Sequence, residues 1–244
     1  MIGPVEFLTV LFLIGITAEA MTGALAAGRE RMDLFGVVMV AAVTAIGGGS
    51  IRDVLLGHYP LVWVEHPSYL VLVSAAAVVT VFVAPLMRHF RRLFLVLDAL
   101  GLAVFAIFGA RVALAMGHGV IIAVAAAVIT GVVGGVMRDL LCDRVPLVFR
   151  QELYASVAIL AALVYVALVT LNVSETWAAA ITLVVGFGLR LAAIWFKLGL
   201  PVFDYQAIEH RPRSRRRHPW SRRQASDDED GTVRSSSWPS RVSR

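Results

Sequence analysis

The sequence predicts an all-α integral membrane protein of seven spanning helices, and three observations support that prediction. The chain of 244 residues is 59% hydrophobic and has a mean hydropathy of +0.79, well above an ordinary soluble domain. Its apolar residues are collected in separate runs, most of them close to the length of about 20 residues that crosses a bilayer. The third observation is an internal repeat, in which the first three runs resemble the next three.

Short segments that carry charges and turn-forming residues separate the apolar runs. The runs are Val5–Ala27, Leu34–Leu56, Tyr69–Leu86, Leu93–Met116, Val120–Leu141, Leu153–Leu171 and Trp177–Phe196. We therefore expect one membrane domain over residues 1–200. Within it, residues 5–88 form the first repeat, residues 93–171 the second repeat and residues 177–196 a seventh helix outside the repeat.

The placement of arginine predicts how the chain is oriented in the membrane. Arginine occurs in the first, third and fifth connecting segments, whereas the second, fourth and sixth contain neither Lys nor Arg. Because cytoplasmic loops are enriched in basic residues, we expect the N-terminus outside and the C-terminus in the cytoplasm. Residues 201–244 are rich in Arg, Ser, Pro and Asp. They predict a disordered basic cytoplasmic tail. Attraction of the tail to anionic lipid or to nucleic acid is the sharper alternative, and of these two no nucleic-acid partner is expected.

A displacement of 86 residues aligns the two halves of the membrane domain on residues that seldom match by chance. The aligned pairs are Gly48-Gly49 with Gly134-Gly135, Arg52-Asp53 with Arg138-Asp139, and Pro60-Leu61-Val62 with Pro146-Leu147-Val148. Each half has three spans, so the second half enters the membrane from the opposite face. This arrangement predicts inverted repeats related by a pseudo-two-fold axis in the membrane plane.

Glycine clusters in the second and fifth helices predict breaks at membrane depth. Helix 2 contains Gly47–Gly49, and helix 5 contains Gly131, Gly134 and Gly135. Glycine is a poor helix former, so an unwound turn is expected to free carbonyl oxygens, which suit a monovalent cation. We expect that cation near Gly48 and Gly134. The alternative is that the glycines only let two helices pack closely.

Charged residues inside the spans are functional candidates because burying a charge in lipid is costly. Arg52-Asp53 is expected near the outer end of helix 2 and Arg138-Asp139 near the inner end of helix 5. Depth suggests Asp98 as the partner of Arg138 and Arg111 as the partner of Asp53, since adjacent helical residues do not face each other. Snorkelling of the arginines to the interface is the alternative, and it is also what we expect of Arg190.

Glu19 has Phe105 as its repeat mate, so symmetry does not explain it. It is either a cation or proton site, or a protonated carboxyl that bonds to a neighbouring helix. The sequence shows no P-loop and no G-x-S-x-G motif, and no enzymatic activity or cofactor is expected. The single cysteine, Cys142, excludes an intrachain disulfide and a multi-cysteine metal site.

The motifs GGGSIRD and GVVGGVMRD, with DALGLA at Asp98–Ala103 and RMD at Arg31–Asp33, resemble the bacterial branch of the trimeric intracellular cation (TRIC) channels. The same proteins are also labelled a glycine-transporter-type family. The resemblance covers about residues 5–200 and implies a homotrimer in the bacterial inner membrane. It implies a potassium- and sodium-permeable pore in each protomer, between broken helices 2 and 5. The pore candidates that it implies are Thr44, Gly47, Gly48, Gly49 and Arg52 with Thr130, Gly131, Gly134, Gly135 and Arg138.

Three functions follow from these patterns. The leading hypothesis is a passive, potassium-permeable cation channel. The second is a secondary transporter of a small zwitterion such as glycine, because broken helices in inverted repeats are also transporter architecture. The third is a non-conducting scaffold that recruits partners through its basic tail.

Two departures from the family pattern are Val133, at the first position of a second glycine triplet, and Glu19.

Overall fold

Helices form all the regular secondary structure in the part of the chain that the computed structural model describes, which is residues 4–84, 90–150 and 153–196. In chain order they are α1 (Pro4–Arg29), α2 (Leu34–Leu56), α3 (Val62–Glu65), α4 (Ser68–Val83), α5 (Phe90–Ala115), α6 (Val120–Leu141), α7 (Leu147–Arg150), α8 (Tyr154–Thr170) and α9 (Glu175–Phe196). The predicted tail, residues 201–244, and the end of the first repeat lie outside the described residues.

Within the described ranges a helix of 16 or more residues follows each predicted apolar run, but these helices are not equally long. Five of them, α1, α2, α5, α6 and α9, are long and apolar enough to cross a membrane. The apolar helices α4 and α8 have only 16 and 17 residues, below the usual spanning length of about 20 residues. The single-turn helices α3 and α7 were not predicted, and each follows a proline that closes the preceding turn.

The ends of the long helices are defined by capping and by left-handed residues. Asp33 caps α2 by accepting a hydrogen bond from the amide of Gly36 at 2.8 Å, which satisfies one of the free amides at a helix start. Gly57 ends α2 with φ of 69°, in the region that glycine enters without steric cost. Its mate one repeat later, Asp143, has φ of 51° after α6.

The centre of the helical domain is the crossing of α2 and α6, which correspond to the predicted helices 2 and 5. The predicted breaks are not seen there. Both helices run without interruption through their glycines. A Cβ atom added to Gly48 would lie 2.4 Å from the carbonyl oxygen of Thr130, and one added to Gly134 would lie 2.3 Å from that of Thr44. The helical backbone is continuous at the glycines, so the predicted breaks are not confirmed. The glycines bring the two backbones together, as small residues do between membrane helices.

The same kind of contact joins each central helix to its predecessor. A Cβ atom on Gly23 of α1 would lie 2.6 Å from Cα of Ala41, and one on Gly109 of α5 would lie 2.6 Å from Cα of Ala127. These positions are again 86 residues apart. Among the five helices of spanning length, α1 and α5 are the most buried, with 67% and 72% of their most apolar segment of 18 residues buried, against 28% for α9.

Candidate functional site

Arg138, near the C-terminal end of α6, lies in a fully buried cage of oxygen atoms. Its Nη1 atom donates to Asp98 Oδ1 at 2.9 Å and to Thr22 Oγ1 at 3.1 Å, and Glu19 Oε2 is 3.9 Å away. We call these three oxygens the inner oxygen cage, where inner denotes the end of the bundle at which α6 ends and outer denotes the opposite end, at which α2 ends. The predicted pairing of Arg138 with Asp98 is confirmed, whereas snorkelling is wrong because Arg138 is 0% exposed.

Local sequence explains how the cage is built. Glu19 and Thr22 are one helical turn apart on α1, so they share a face, and Thr22 Oγ1 lies 3.0 Å from Glu19 Oε2. Gly101 on α5 leaves the space that Glu19 fills, since a Cβ atom there would lie 2.0 Å from Glu19 Oε1. The ring of Phe94 lies 4.7 Å from Cζ of Arg138, close enough for a cation–π contact.

A further oxygen contact of Arg138, to the adjacent Asp139, shows that the expectation that adjacent residues do not pair is wrong here. Its Nε atom donates to Asp139 Oδ1 at 2.9 Å, and Nε of Arg52 donates in the same way to Asp53 at 2.9 Å. The rule on adjacent residues concerns side chains that extend from the helix, and the long arginine stem can curl back along it. The other oxygen of Asp139 accepts from the amide of Leu147 at 2.9 Å, which positions the start of α7.

Three polar atoms in this cluster have no hydrogen-bond partner among the described residues. They are Glu19 Oε1, Asp98 Oδ2 and Arg138 Nη2, and their side chains are at most 3% exposed. Buried polar groups are usually hydrogen-bonded, and each exception calls for an explanation.

The equivalent arginine of the first repeat, Arg52, has a different environment. It is 3% exposed, and its Nη2 atom donates to Asp53 Oδ1 at 2.7 Å. His58 Nδ1 lies 3.1 Å from the same oxygen. The predicted pairing of Arg111 with Asp53 is wrong. Arg111 instead pairs with Glu175 at 3.2 Å, because the outer end of α5 packs beside the start of α9.

Aromatic rings occupy the positions that correspond to the oxygen cage in the other half. Displacement by 86 residues relates Asp98 to Phe12, Glu19 to Phe105 and Thr22 to Phe108. The ring centroid of Phe12 lies 6.4 Å from that of Phe105 and 5.2 Å from that of Phe108. The two ends of the α2–α6 crossing therefore have similar backbone contacts, but polar side chains line one end and aromatic rings line the other.

A cavity of about 410 Å³ opens beside Arg52, and we call it the outer cavity. Its polar lining residues are Thr9, Arg52, His58, Glu65, His66, Tyr69 and Arg111. A smaller space of about 30 Å³ shares Arg52 and Tyr69 with it and reaches Gly49 and Thr130 at the crossing. At the other end, the space between Gly135, Arg138 and Tyr154 leaves no room for a water molecule.

The structure brings some of the predicted pore residues together and separates others. Thr44, Gly48, Thr130 and Gly134 meet at the α2–α6 crossing, and Gly49 with Arg52 faces the outer spaces. The hydroxyl groups of Thr44 and Thr130 donate to carbonyls of their own helices at 2.6 Å. The remaining candidates have other neighbours: Gly47 faces Met137, and Gly131 faces Leu102.

Sequence reasoning missed four contributors, namely Thr22, His58, Phe94 and Tyr154. The signal for Thr22 was its position one turn after Glu19, on the same face. Arg190 was expected to snorkel but is 1% exposed, and its guanidinium lies 4.5 Å above the ring of Tyr154. Across the described ranges, no group of three or more His, Cys, Asp or Glu side chains could hold a metal ion.

Comparison with known sequences places this chain among bacterial membrane proteins. A family model described as "Glycine transporter" matches twice, at residues 9–85 and 95–170. The UPF0126 inner membrane protein YadS of Escherichia coli is 41% identical over 195 residues, which are 79% of this chain and 94% of that protein. A UPF0126 membrane protein of Vibrio cholerae is 37% identical over 202 residues, or 81% of this chain and 83% of the relative.

Solved structures give the same grouping. The TRIC trimeric intracellular cation channel orthologue from Rhodobacter sphaeroides is 39% identical with a TM-score of 0.75, covering 78% of this chain and 98% of that one. A prokaryotic TRIC channel crystallised in 0.5 M KCl is 30% identical with a TM-score of 0.74, covering 79% and 98%. Together with the paired matches to one family model, these similarities show that the chain is a multi-pass membrane protein of the glycine transporter family, in the bacterial branch of the TRIC channels.

Proposed function

We propose that the protein is a potassium-permeable channel for monovalent cations, with one pore in each protomer along the α2–α6 crossing. The observation that carries the proposal is the series of spaces that begins at the outer cavity and reaches Gly49 and Thr130. The series stops at the crossing, and the separate space beside Arg138 leaves no room for a water molecule, so this conformation is a closed one. Structures with the same fold are described as cation channels.

The proposed topology has seven spans in two inverted repeats, with α9 as the seventh helix. Contacts of Gly23 and Gly48 recur at Gly109 and Gly134, 86 residues later, and the double match of one family model supports the same division. In this topology the outer cavity faces the periplasm and the inner oxygen cage faces the cytoplasm. The protein is placed in the bacterial inner membrane with its N-terminus outside.

The glycine crossing acts as the constriction of this pore. Gly48 and Gly134 face carbonyl oxygens that remain within continuous helices, so these carbonyls are not freed to coordinate an ion. The ion site that the sequence suggested at Gly48 and Gly134 is therefore not proposed. Ions instead pass Gly49 and Arg52 on the outer side and Gly135 and Arg138 on the inner side.

A homotrimer is proposed because the similar channel of known structure is described as trimeric. Large apolar side chains cover the outside of the described helices, a surface that can face lipid or a neighbouring subunit. Examples are Phe35, Val71, Ile121, Val184 and Trp195.

Transport of a small zwitterion is the second candidate, and the outer cavity is the observation that favours it. The cavity holds both Arg52 and Glu65, which could face the carboxylate and the ammonium group of an amino acid. The phenylalanines that replace the oxygen cage in the outer half argue against it. A carrier that exchanges the conformations of two inverted repeats would need a cage around Arg52 in its second state, and phenylalanine rings supply no acceptor oxygens.

Planar-bilayer recording of the purified protein in potassium chloride tests the proposal. A channel gives unitary currents, and replacement of Gly48 and Gly134 by leucine is expected to remove them because the crossing can no longer form. The Gly188→Leu variant is the control, since nothing lies within 4 Å of a Cβ atom there. Glycine uptake into liposomes that is driven by an ion gradient, without unitary currents, would instead establish the carrier.

A further inference from the structure

The inner oxygen cage has the composition of a cation site in which an arginine now sits. Nη1 of Arg138 is surrounded by Asp98 Oδ1 at 2.9 Å, Thr22 Oγ1 at 3.1 Å and Glu19 Oε2 at 3.9 Å. We infer that this cage binds a monovalent cation, and that the Arg138 guanidinium occupies it as a tethered cation while the inner end is closed. The inference deepens the proposed channel function and rests on it.

The ligand atoms suit a hard cation of low charge. Two carboxylates and a hydroxyl are hard oxygen donors, the class that binds alkali and alkaline-earth ions rather than zinc or copper. No third carboxylate, histidine or cysteine joins them as a metal centre within the described ranges. Oxygens of two carboxyl groups therefore face whichever cation enters, and a potassium or sodium ion can replace the charge that the guanidinium supplies.

The cage also has more acceptor capacity than Arg138 uses. Glu19 Oε1 and Asp98 Oδ2 have no hydrogen-bond partner among the described residues, and both side chains are at least 97% buried. Leaving such acceptors unpaired is costly. A cation that replaces Arg138 in the cage has these two free oxygens available as ligands, in addition to the oxygens that the guanidinium uses.

Packing alone does not require a polar cage at this place. The first repeat builds the same crossing with Phe12, Phe105 and Phe108 at the equivalent positions. Aromatic rings therefore fill this space in one half, while oxygen atoms fill it in the other. Because buried carboxylates cost far more than apolar rings, their presence on one side points to a ligand. Opening of the inner end then exchanges the guanidinium for a permeant ion.

Thermal unfolding of the purified protein detects such binding without any measurement of conduction. Removal of the tethered charge in Arg138→Gln leaves the cage open to free ions. Its melting temperature is expected to rise by about 2–4 °C when potassium replaces N-methylglucamine at constant ionic strength. The rise should vanish in the Glu19→Gln/Arg138→Gln double variant. It should persist in Glu30→Gln/Arg138→Gln, since Glu30 pairs with Arg144 elsewhere. An equal rise in both double variants, or none in Arg138→Gln, overturns the inference.

A second measurement covers the case in which Arg138→Gln does not fold. Glu19→Gln keeps the size of the side chain and leaves Arg138 held by Asp98 and Asp139. Loss of one cage charge is expected to raise the potassium concentration for half-maximal flux by at least about threefold, a difference of roughly 0.7 kcal/mol in ion binding. An unchanged value overturns the cage, whereas absence of flux in the wild-type protein overturns the proposed channel and leaves the unfolding test standing.

Discussion

Gly48 and Gly134 each face a carbonyl oxygen of the opposite central helix, at distances that leave no room for a side chain. These residues therefore act by having no Cβ atom, which lets the two helix backbones come into contact. Backbones that approach this closely gain dispersion contacts and lose little side-chain entropy, which is how small residues stabilise helix pairs in membranes.

Alanine at either position is expected to destabilise the protein by about 1–3 kcal/mol, the usual cost of inserting a methyl group into a packed site. The Cβ atom of Gly48→Ala would press on the Thr130 carbonyl, which belongs to a helix backbone and cannot turn aside. Thermal unfolding in detergent measures the effect. Gly28→Ala is the control, because open space surrounds that position, and a loss of stability there as large as at Gly48 would contradict the explanation.

Cys142, immediately after α6, offers a second test at the level of one residue. It is 1% exposed, and burial raises the pKa of its thiol above the usual value. Only the thiolate reacts with maleimide, so a raised pKa lowers the reactive fraction at any given pH. Labelling of the native protein is expected to be slow at neutral pH and to accelerate as pH rises towards that pKa. Labelling as fast as in detergent-unfolded protein would show that Cys142 is exposed.

Single residues also show the limits of sequence reasoning. Asp98 and Arg138 were paired correctly because hydropathy fixes the depth of each along its helix. The pairing of Arg111 with Asp53 failed although the depths agree, because depth does not say which faces meet. Arg111 points to Glu175 on α9, and the rotation of α5 that allows this depends on packing that no local pattern encodes.

Helices α2 and α6 form a pair whose two contacts share one geometry. Gly48 of α2 contacts Thr130 of α6, and Gly134 of α6 contacts Thr44 of α2. On each helix the threonine lies four residues before the glycine. A displacement of one helix at either contact therefore changes the other contact as well.

The Gly48→Ala/Gly134→Ala double variant is consequently expected to lose less stability than the two single losses added together. Once one methyl group has separated the helices, the second meets less resistance, which is the usual behaviour of residues that share a contact. Unfolding free energies of the four proteins measure the difference. Gly48→Ala combined with Gly28→Ala should give additive losses, and strict additivity in both pairs would mean that the two contacts are independent.

At the scale of elements, hydropathy predicted the long helices well because a membrane segment must be apolar along its whole length. It could not predict α3 and α7, since a single turn leaves no periodic signal. The breaks at Gly47–Gly49 were predicted from glycine propensity, which describes a helix exposed to water. In this protein the contact with α6 compensates that cost, and α2 remains continuous.

In the proposed topology, residues 5–88 and 93–171 are two similar halves that face opposite ways across the membrane, and an accessibility experiment tests that arrangement directly. Glu30 and Met116 are 86 residues apart. Glu30 directly follows the inner end of α1, and Met116 directly follows the outer end of α5. In a Cys142→Ser background, Glu30→Cys is expected to react with a membrane-impermeant maleimide only from the cytoplasmic side, and Met116→Cys only from the outside. Reaction of both from one side would exclude inverted repeats. Labelling of both after permeabilisation is the control.

In the proposed channel, the inner oxygen cage lies at only one of the two ends of the α2–α6 crossing, so it is expected to give the conduction path a direction. The cage presents two carboxyl groups, whereas the outer cavity places the single carboxyl group of Glu65 beside Arg52 and Arg111. Once Arg138 has moved aside, cations are therefore expected to concentrate at the caged mouth and to enter from it more readily than from the outer cavity. Currents in symmetrical dilute potassium chloride are therefore expected to rectify, and concentrated salt should abolish the effect by screening the carboxylates.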